Sequence, residues 1–185
     1  MSLHADALAV LDAWTAPDAR QEELRRSYVE HLGGHADAMW RTCLPGHVTA
    51  SAAIISADGS KVVLTLHRIH RMWLQTGGHC EPGDATLGAA ALREAVEESG
   101  LRDLTLLPAP VRLDRHRVPC GGGSFHLDVQ YAAVAPSAAV LVCDPDESAD
   151  LGWFPVGDLP DPTDDSVRDL VRTAAEAATA YRSSV

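Results

Sequence analysis

The sequence predicts one α+β domain, a mixed β-sheet sandwiched between helices, with a helical extension in front of it. Two observations predict this class. Two helices, a hairpin, a helix, a second hairpin and a last helix follow one another, whereas a doubly wound fold alternates single strands with single helices. The 185 residues are 46% hydrophobic and 22% charged, which is typical of a globular domain and excludes disordered and collagen-like chains. We assign residues 1–45 to the N-terminal helical extension and residues 46–185 to the main domain.

Two helices are expected in the extension. The first covers residues 3–14, and the second follows the Thr15–Asp18 signal and ends at Gly33-Gly34. Leu24, Tyr28 and Leu32 recur every four residues, so one face of the second helix should pack on the main domain. The extension could shape a pocket or form the interface of a homodimer.

The main domain is expected to begin with a β-hairpin. Residues 47–56 and 61–66 are rich in β-branched and small side chains, and the Asp58-Gly59 pair between them is a hairpin turn signal. After a glycine-rich loop, a helix is predicted from about Thr86 to Ser99, ended by Gly100.

A second hairpin is predicted further along the chain. Its arms are an extended stretch at residues 101–117 and a strand at 125–134, joined by a glycine-rich turn at 120–124. A short extended Trp153-Phe154 segment then precedes a last helix over residues 164–181. This order completes the expected sheet and its covering helices.

Composition narrows the classes of function. The formal net charge of −11 makes nucleic-acid binding an unfavoured reading, because the phosphate backbone is recognised by basic surfaces. No apolar run approaches the roughly 20 residues of a membrane-spanning helix, and the first residues carry no secretory signal pattern. The four cysteines form no C-x-x-C pair. We therefore expect a cytoplasmic protein with reduced thiols and no membrane partner.

Acidic residues crowd one helix. Glu94, Glu97 and Glu98 share a face and repel one another, while Arg93 lies four residues before Glu97 and can pair with it. An oxygen-seeking cation such as Mg²⁺ or Mn²⁺ would remove the repulsion. The alternative is a solvated acidic face, but the tight Gly-rich loop over residues 77–84 would let backbone carbonyls approach an ion.

This loop and helix together resemble the signature of the Nudix hydrolase family, G-x5-E-x7-R-E-U-x-E-E-x-G-U, where U is a bulky apolar residue. The chain departs from it at two points. Asp84 replaces the first glutamate and is separated from Arg93 by eight residues rather than seven, and Ala95 is smaller than usual. The Gly-Gly-His-x-x-Pro-Gly-Asp motif is similar to that of a bacterial subgroup of the family whose signature is one residue longer. The residues that match are Gly78, Arg93, Glu94, Glu97, Glu98, Gly100 and Leu101.

The resemblance implies the Nudix fold and a hydrolase that uses Mg²⁺ or Mn²⁺. Its substrate would be a nucleoside diphosphate derivative or a related small molecule, cleaved at a diphosphate linkage by attack of water on phosphorus. Arg93 would hold the carboxylates in place. Glu97 would be a further ligand or would orient and deprotonate water. Glu147, which precedes the Trp153-Phe154 pair, is a candidate for an additional ligand or base, and a plain loop carboxylate is the alternative. The implied metal ligands are Glu94, Glu97, Glu98 and the carbonyl of Gly78.

Candidate substrate-binding residues lie around the loop. Arg68 and Arg71 could receive phosphate oxygens, or could be a solvated strand end. Trp73 could stack on a base, although a packing role is the more common use of such a residue. His79 lies within the glycine-rich loop itself.

A second polar site is predicted on the second hairpin. The period of a strand places Asp114 and His116 on one face, and His126 and Asp128 on one face of the neighbouring strand. Pairing of the two strands could bring all four side chains together, near the glutamates or as a second metal site. Structural Asp–His hydrogen bonds are the alternative.

Two other functions stay open at this point. An enzyme similar to isopentenyl-diphosphate isomerase, on the same fold, would use Cys80 and a glutamate for proton transfer without hydrolysis. A non-catalytic sensor would bind a ligand and leave it intact, but it has no need of a mutually repelling carboxylate cluster.

Overall fold

The computed structural model describes residues 1–118, 124–143 and 148–184. Within these ranges, helices surround one curled mixed sheet, which confirms the predicted α+β class and mixed sheet. The helices are α1 (Leu3–Ala13), α2 (Ala19–Gly34), α3 (Leu87–Ser99) and α4 (Asp165–Arg182). The strands are β1 (His47–Ile55), β2 (Lys61–His67), β3 (Trp73–Leu74), β4 (Thr76–His79), β5 (Thr105–Leu106), β6 (Arg112–Arg117), β7 (Phe125–Val134) and β8 (Ser148–Pro155).

Strand β1 is the centre of the sheet. It pairs in parallel with β7 along its whole length, and antiparallel with β4 on its other side. Its pairing with β2, the other arm of the expected hairpin, is registered at Ile55 and Val62 beside the turn. Every residue of β1 is buried, because helices cover both faces of the sheet.

The two faces of β1 carry different helices. Val48, Ala50 and Ala52 join an apolar cluster with α1, α2 and α3, whereas Ala53 and Ile55 join a second cluster with α4. The remaining residues of the α4 face, at the start of β1, are polar. This polar end of a buried strand is unusual, and it belongs to the candidate site described below.

Helix α3 has well-defined ends. The Thr86 hydroxyl accepts a hydrogen bond from the Ala89 N–H at 3.0 Å, and Gly100 ends the helix in the left-handed conformation with φ 68°. These ends agree with the predicted bounds. Since the helix is regular from Leu87 onward, the extra residue before Arg93 is taken up in the loop.

The second hairpin differs in detail from the expectation. Strand β7 has the predicted bounds, but the stretch at 101–117 is divided into β5 and β6, which both pair with β7. The Trp153-Phe154 segment belongs to the longer strand β8, which pairs with β2. Of the predicted glycine-rich turn, residues 120–123 lie outside the described part of the chain.

The N-terminal helices pack directly on the rest of the molecule. The Gln21 side chain donates to the Leu113 carbonyl at 3.0 Å and accepts from the Leu113 N–H at 2.7 Å. The Asp6 carboxylate accepts a hydrogen bond from the Leu87 N–H at 2.8 Å, at the first residue of α3. Thus α1 helps to satisfy the N-terminus of the acidic helix. None of the described helices is both long and apolar enough to cross a membrane.

Candidate functional site

Arg93 is the centre of the acidic cluster. Its Nη1 donates to Glu94 Oε1 at 3.0 Å and to Glu97 Oε2 at 2.9 Å. Its Nε and Nη2 donate to the two oxygens of Asp84 at 3.1 and 3.0 Å, and Nη2 also donates to the His79 carbonyl at 2.9 Å. A single guanidinium therefore fixes the loop and two helical carboxylates relative to one another.

The electrostatics of this cluster favour charged groups. Burial acts to raise the pKa of Asp84, but its hydrogen bonds with Arg93 and with the Glu81 N–H outweigh burial and lower that pKa. The hydrogen bond to Asp84 is the largest of the causes that raise the pKa of Arg93. Asp84 therefore occupies the position of the first signature glutamate as an ionised partner of Arg93, despite the extra residue between them.

Glycines of β4 bring the loop against the glutamates. A Cβ added to Gly78 would lie 2.7 Å from Glu94 Oε1 and 2.8 Å from its Cδ and Oε2, so only glycine leaves the carboxylate where it is. The Gly77 N–H donates to Glu98 Oε2 at 3.3 Å. Glu94 and Glu98 thus lie along the backbone of β4, on one side of α3.

The donor set of this cluster suits a hard divalent cation. Three helical carboxylates and nearby backbone carbonyls are the oxygen ligands that Mg²⁺ and Mn²⁺ prefer. The Glu94 side chain is 15% exposed and that of Glu97 is 53% exposed, so the cluster reaches from a shielded position to solvent. Because Gly78 has no side chain, the Glu94 carboxylate occupies space that a Cβ at this position would otherwise fill.

The predicted substrate-binding residues are placed differently from one another. Arg68 and Arg71 are exposed in the turn between β2 and β3. Trp73 is half-buried and packs its ring edge-on against Phe154, with centroids 4.7 Å apart. Its backbone also accepts the Thr163 hydroxyl at 2.6 Å. Trp73 therefore has the contacts of a packing residue, and Glu147 lies outside the described residues.

The strand register brings the predicted second polar site together. Asp114 is opposite Asp128 and His116 is opposite His126 in the β6–β7 pair. His116 Nδ1 lies 2.9 Å from Asp114 Oδ2, and this hydrogen bond is the main cause that raises the pKa of His116. One Asp–His contact thus forms here. Asp128 instead accepts hydrogen bonds from Thr49, Ser51 and Gln130 at 3.0, 2.6 and 3.1 Å, while burial raises its pKa.

Three histidines meet beside this polar site. His47 lies opposite His126 in the β1–β7 register, and His79 lies opposite Thr49 in the β1–β4 register. The ring centroids of His47, His79 and His126 are 4.8 to 5.1 Å apart. We call this group the histidine cluster.

The histidine cluster is shielded and uncharged. Burial is the main cause that lowers the pKa of His79 to about 4 and that of His126 to about 3. Burial, and then the charge of Arg41, lowers the pKa of His47 against a smaller opposing effect of the Cys43 backbone. Arg41 also bonds His79 directly, with 2.9 Å between Nη2 and Nδ1. At neutral pH the three rings are therefore neutral imidazoles.

His47, Arg41, Thr49 and Ser51 are site residues that no sequence motif identifies. A signal for part of this set was present, because His47, Thr49 and Ser51 alternate along β1 and so share one face. The partners of these residues lie about 80 residues further on, in β7. Nothing local to β1 identifies that strand as its neighbour.

Comparison with known proteins gives a consistent result. The NUDIX domain family matches residues 45–174. A NUDIX-family hydrolase from Clostridium perfringens is 25% identical, with a TM-score of 0.55 over 73% of this chain and 97% of that chain. A MutT NUDIX hydrolase from Burkholderia pseudomallei is 28% identical, with a TM-score of 0.55 over 69% of this chain and 97% of that chain.

This chain also shares its fold, and only its fold, with a protein solved in complex with DNA. NrtR from Shewanella oneidensis, solved with a 27mer DNA, is 22% identical, with a TM-score of 0.52 over 72% of this chain and 62% of that chain. No curated protein matches the sequence. The fold is thus shared by proteins whose descriptions name hydrolysis and by one bound to DNA.

Proposed function

The chain belongs to the NUDIX family of hydrolases, and we propose that it uses Mg²⁺ or Mn²⁺ to cleave a diphosphate linkage. The proposed substrate is a nucleoside diphosphate derivative or a related small molecule. The observation that carries the proposal is the Arg93-centred cluster, which gathers Asp84, Glu94 and Glu97 around one guanidinium and holds Glu94 against Gly78 of β4. Such an arrangement holds mutually repelling carboxylates ready for a cation.

We assign the metal ligands to the helix and to the loop backbone. Glu94 and Glu98 are the principal ligands, since both lie against β4, and the Gly78 carbonyl and Glu97 complete the set. When bound, the divalent cation would offset the charge of the diphosphate and make phosphorus more open to attack by water. This matters in a protein with a net charge of −11, which otherwise repels a polyanion.

Two residues have proposed roles beyond metal binding. Arg93 is a positioning residue, because within the described residues its five hydrogen bonds go to Asp84, Glu94, Glu97 and the His79 carbonyl. Glu97 is the better exposed glutamate, so it can orient an attacking water and accept its proton. Glu147 keeps the alternative role of a base or a further ligand on sequence grounds.

We propose the substrate contacts from the charge and exposure of the candidate side chains. Arg68 and Arg71 are exposed cations suited to phosphate oxygens. Trp73 packs on Phe154, so a structural role is better supported than stacking on a base. His79 would act through its place in the loop rather than as a cation, because its pKa is about 4.

The isomerase alternative is less well supported. It needs Cys80 to exchange protons, and a proton-transfer group works best with a pKa near the working pH. Burial, reinforced by the negative charge of Asp84, raises the pKa of Cys80 to about 12.

The described cysteines Cys43, Cys80 and Cys143 are free thiols, which supports the cytoplasmic location that we propose.

A release assay tests the hydrolase proposal. Phosphate and pyrophosphate are measured with nucleoside triphosphates, sugar nucleotides, dinucleotides and prenyl diphosphates, with and without Mg²⁺ or Mn²⁺. We expect metal-dependent release from at least one class. Glu98→Gln should lower kcat by about 100-fold or more, the scale on which loss of one charge-stabilising group acts.

The matched control is Glu176→Gln, which makes the same chemical change at an exposed site on α4. Its kcat should equal that of the unmodified protein. Release that does not require a metal, or that is equal in the Glu98→Gln protein, would contradict the proposal. Tight binding of a substrate that is never cleaved would favour the sensor.

A further inference from the structure

We propose that the histidine cluster, His47, His79 and His126, binds a transition-metal ion such as Zn²⁺ at a site separate from the carboxylates of α3. One potential ligand atom from each of the three residues lies within 4.8 Å of the others. The three rings come from three different strands, β1, β4 and β7. This inference does not rest on the hydrolase proposal.

Unpartnered buried nitrogens are the second observation. His47 is 1% exposed, and neither of its ring nitrogens makes a hydrogen bond within the described residues. The Nε2 of His79 is also buried there without a hydrogen-bond partner. Leaving a buried polar group unsatisfied costs about 1–3 kcal/mol, so unpartnered nitrogens on two adjacent rings of the cluster, His47 and His79, call for a ligand.

The chemistry of the cluster selects the kind of ion. Neutral imidazole is a preferred ligand of Zn²⁺ and of its first-row neighbours, whereas Mg²⁺ prefers oxygen ligands. Zinc–nitrogen bonds of about 2.0–2.1 Å in a tetrahedral site place ligand nitrogens about 3.4 Å apart. Rotation of the partly exposed His79 and His126 rings toward the buried His47 would close the remaining distance.

Arg41 competes with a metal at this place. Its donation to His79 Nδ1 puts the proton of the neutral ring on Nε2, which must lose it to bind a metal. The proton would then move to Nδ1, and Arg41 would have to release the ring. Because Arg41 is exposed, its side chain can rotate away from His79 and into the solvent at little cost in free energy.

One carboxylate–histidine pair lies beside the cluster. Asp114 bonds His116 at 2.9 Å, and the His116 ring centroid lies 5.3 Å from that of His126. Hydrogen-bonded carboxylates commonly orient histidines around a metal. His116 therefore lies next to the histidine cluster and is itself held by a carboxylate.

Direct metal titration tests the site. Chelator-treated full-length protein is titrated with Zn²⁺ against a chromogenic chelator, and with Co²⁺ as a spectroscopic probe, in excess Mg²⁺. We expect one Zn²⁺ equivalent that Mg²⁺ does not displace, and the intense visible absorption of Co²⁺ in a low-coordinate nitrogen site. His126→Gln should weaken Zn²⁺ binding by more than about 100-fold, since even changes outside the ligand set cost about 10–100-fold.

Two controls separate this site from others. His70→Gln removes an exposed histidine and should keep the Zn²⁺ equivalent. The double variant Glu94→Gln/Glu98→Gln should keep it too, because those residues belong to the carboxylate cluster. Retention of tight Zn²⁺ binding in His126→Gln, its loss in the double variant, or a weak octahedral Co²⁺ spectrum of the unmodified protein would each overturn the proposal. The Co²⁺ spectrum decides the matter if His126→Gln fails to fold.

Discussion

Replacement of Gly78 by alanine should separate catalysis from stability. The new Cβ would meet Glu94 Oε1 at 2.7 Å, whereas ordinary contact begins at 3.4 Å, so the carboxylate must retreat by about 0.7 Å. Misplacement of a catalytic group by about 1 Å can cost about 100-fold in rate, so we expect kcat to fall by about 10- to 100-fold. The obstructing atoms end a flexible side chain, and the free energy of unfolding should change by less than about 1 kcal/mol.

The assay is metal-dependent phosphate release on the best substrate, alongside unfolding in denaturant. Gly83→Ala is the matched control, because it lies in the same loop and its Cβ would meet no atom within 4 Å. Unchanged kcat in Gly78→Ala would refute the reasoning that Glu94 must lie against β4. An equal fall in both variants would assign the effect to loop rigidity instead.

Two further predictions concern stability and thiol reactivity. Asp6→Ala leaves the Leu87 N–H without its 2.8 Å partner, and denaturant unfolding should show a loss of about 1–3 kcal/mol, with Asp6→Asn less affected because it keeps an acceptor oxygen. Equal stability of all three proteins would mean that α1 does not support α3. Iodoacetamide at pH 8, followed by peptide mapping, should label the exposed Cys143 but not the buried Cys80 until the protein unfolds. Rapid labelling of Cys80 in the folded protein would contradict the burial argument.

Local sequence signals predicted α3 well and the strand pairing poorly. Thr86 and Gly100 act on the residues beside them, so the ends of α3 could be read directly from the chain. By contrast, β1 takes most of its partners from β4 and β7 rather than from β2 across the Asp-Gly turn. Such pairings join residues far apart in sequence, and no nearby residue specifies them.

The difference between local and distant contacts also explains which residues of the candidate site the sequence predicts. The carboxylates and Arg93 lie within one helix, so their spacing alone indicated a common face. The role of Asp84 depended on where the loop takes up an extra residue, and only the folded loop shows its two contacts with Arg93. His47 was missed because its partners come from two other strands.

One loop lies between two donor sets of different chemistry. Gly78 faces the carboxylate of Glu94, while the next residue, His79, turns its ring toward His47 and His126. The carbonyl of His79 also accepts a hydrogen bond from Arg93, so movement of this residue reaches both sets. Oxygen donors suit Mg²⁺ or Mn²⁺ and imidazoles suit Zn²⁺, so the two donor sets differ in the ion that each prefers. An ion in the histidine cluster would then fix the loop on which the carboxylates depend, and the position of Glu94 would respond to it.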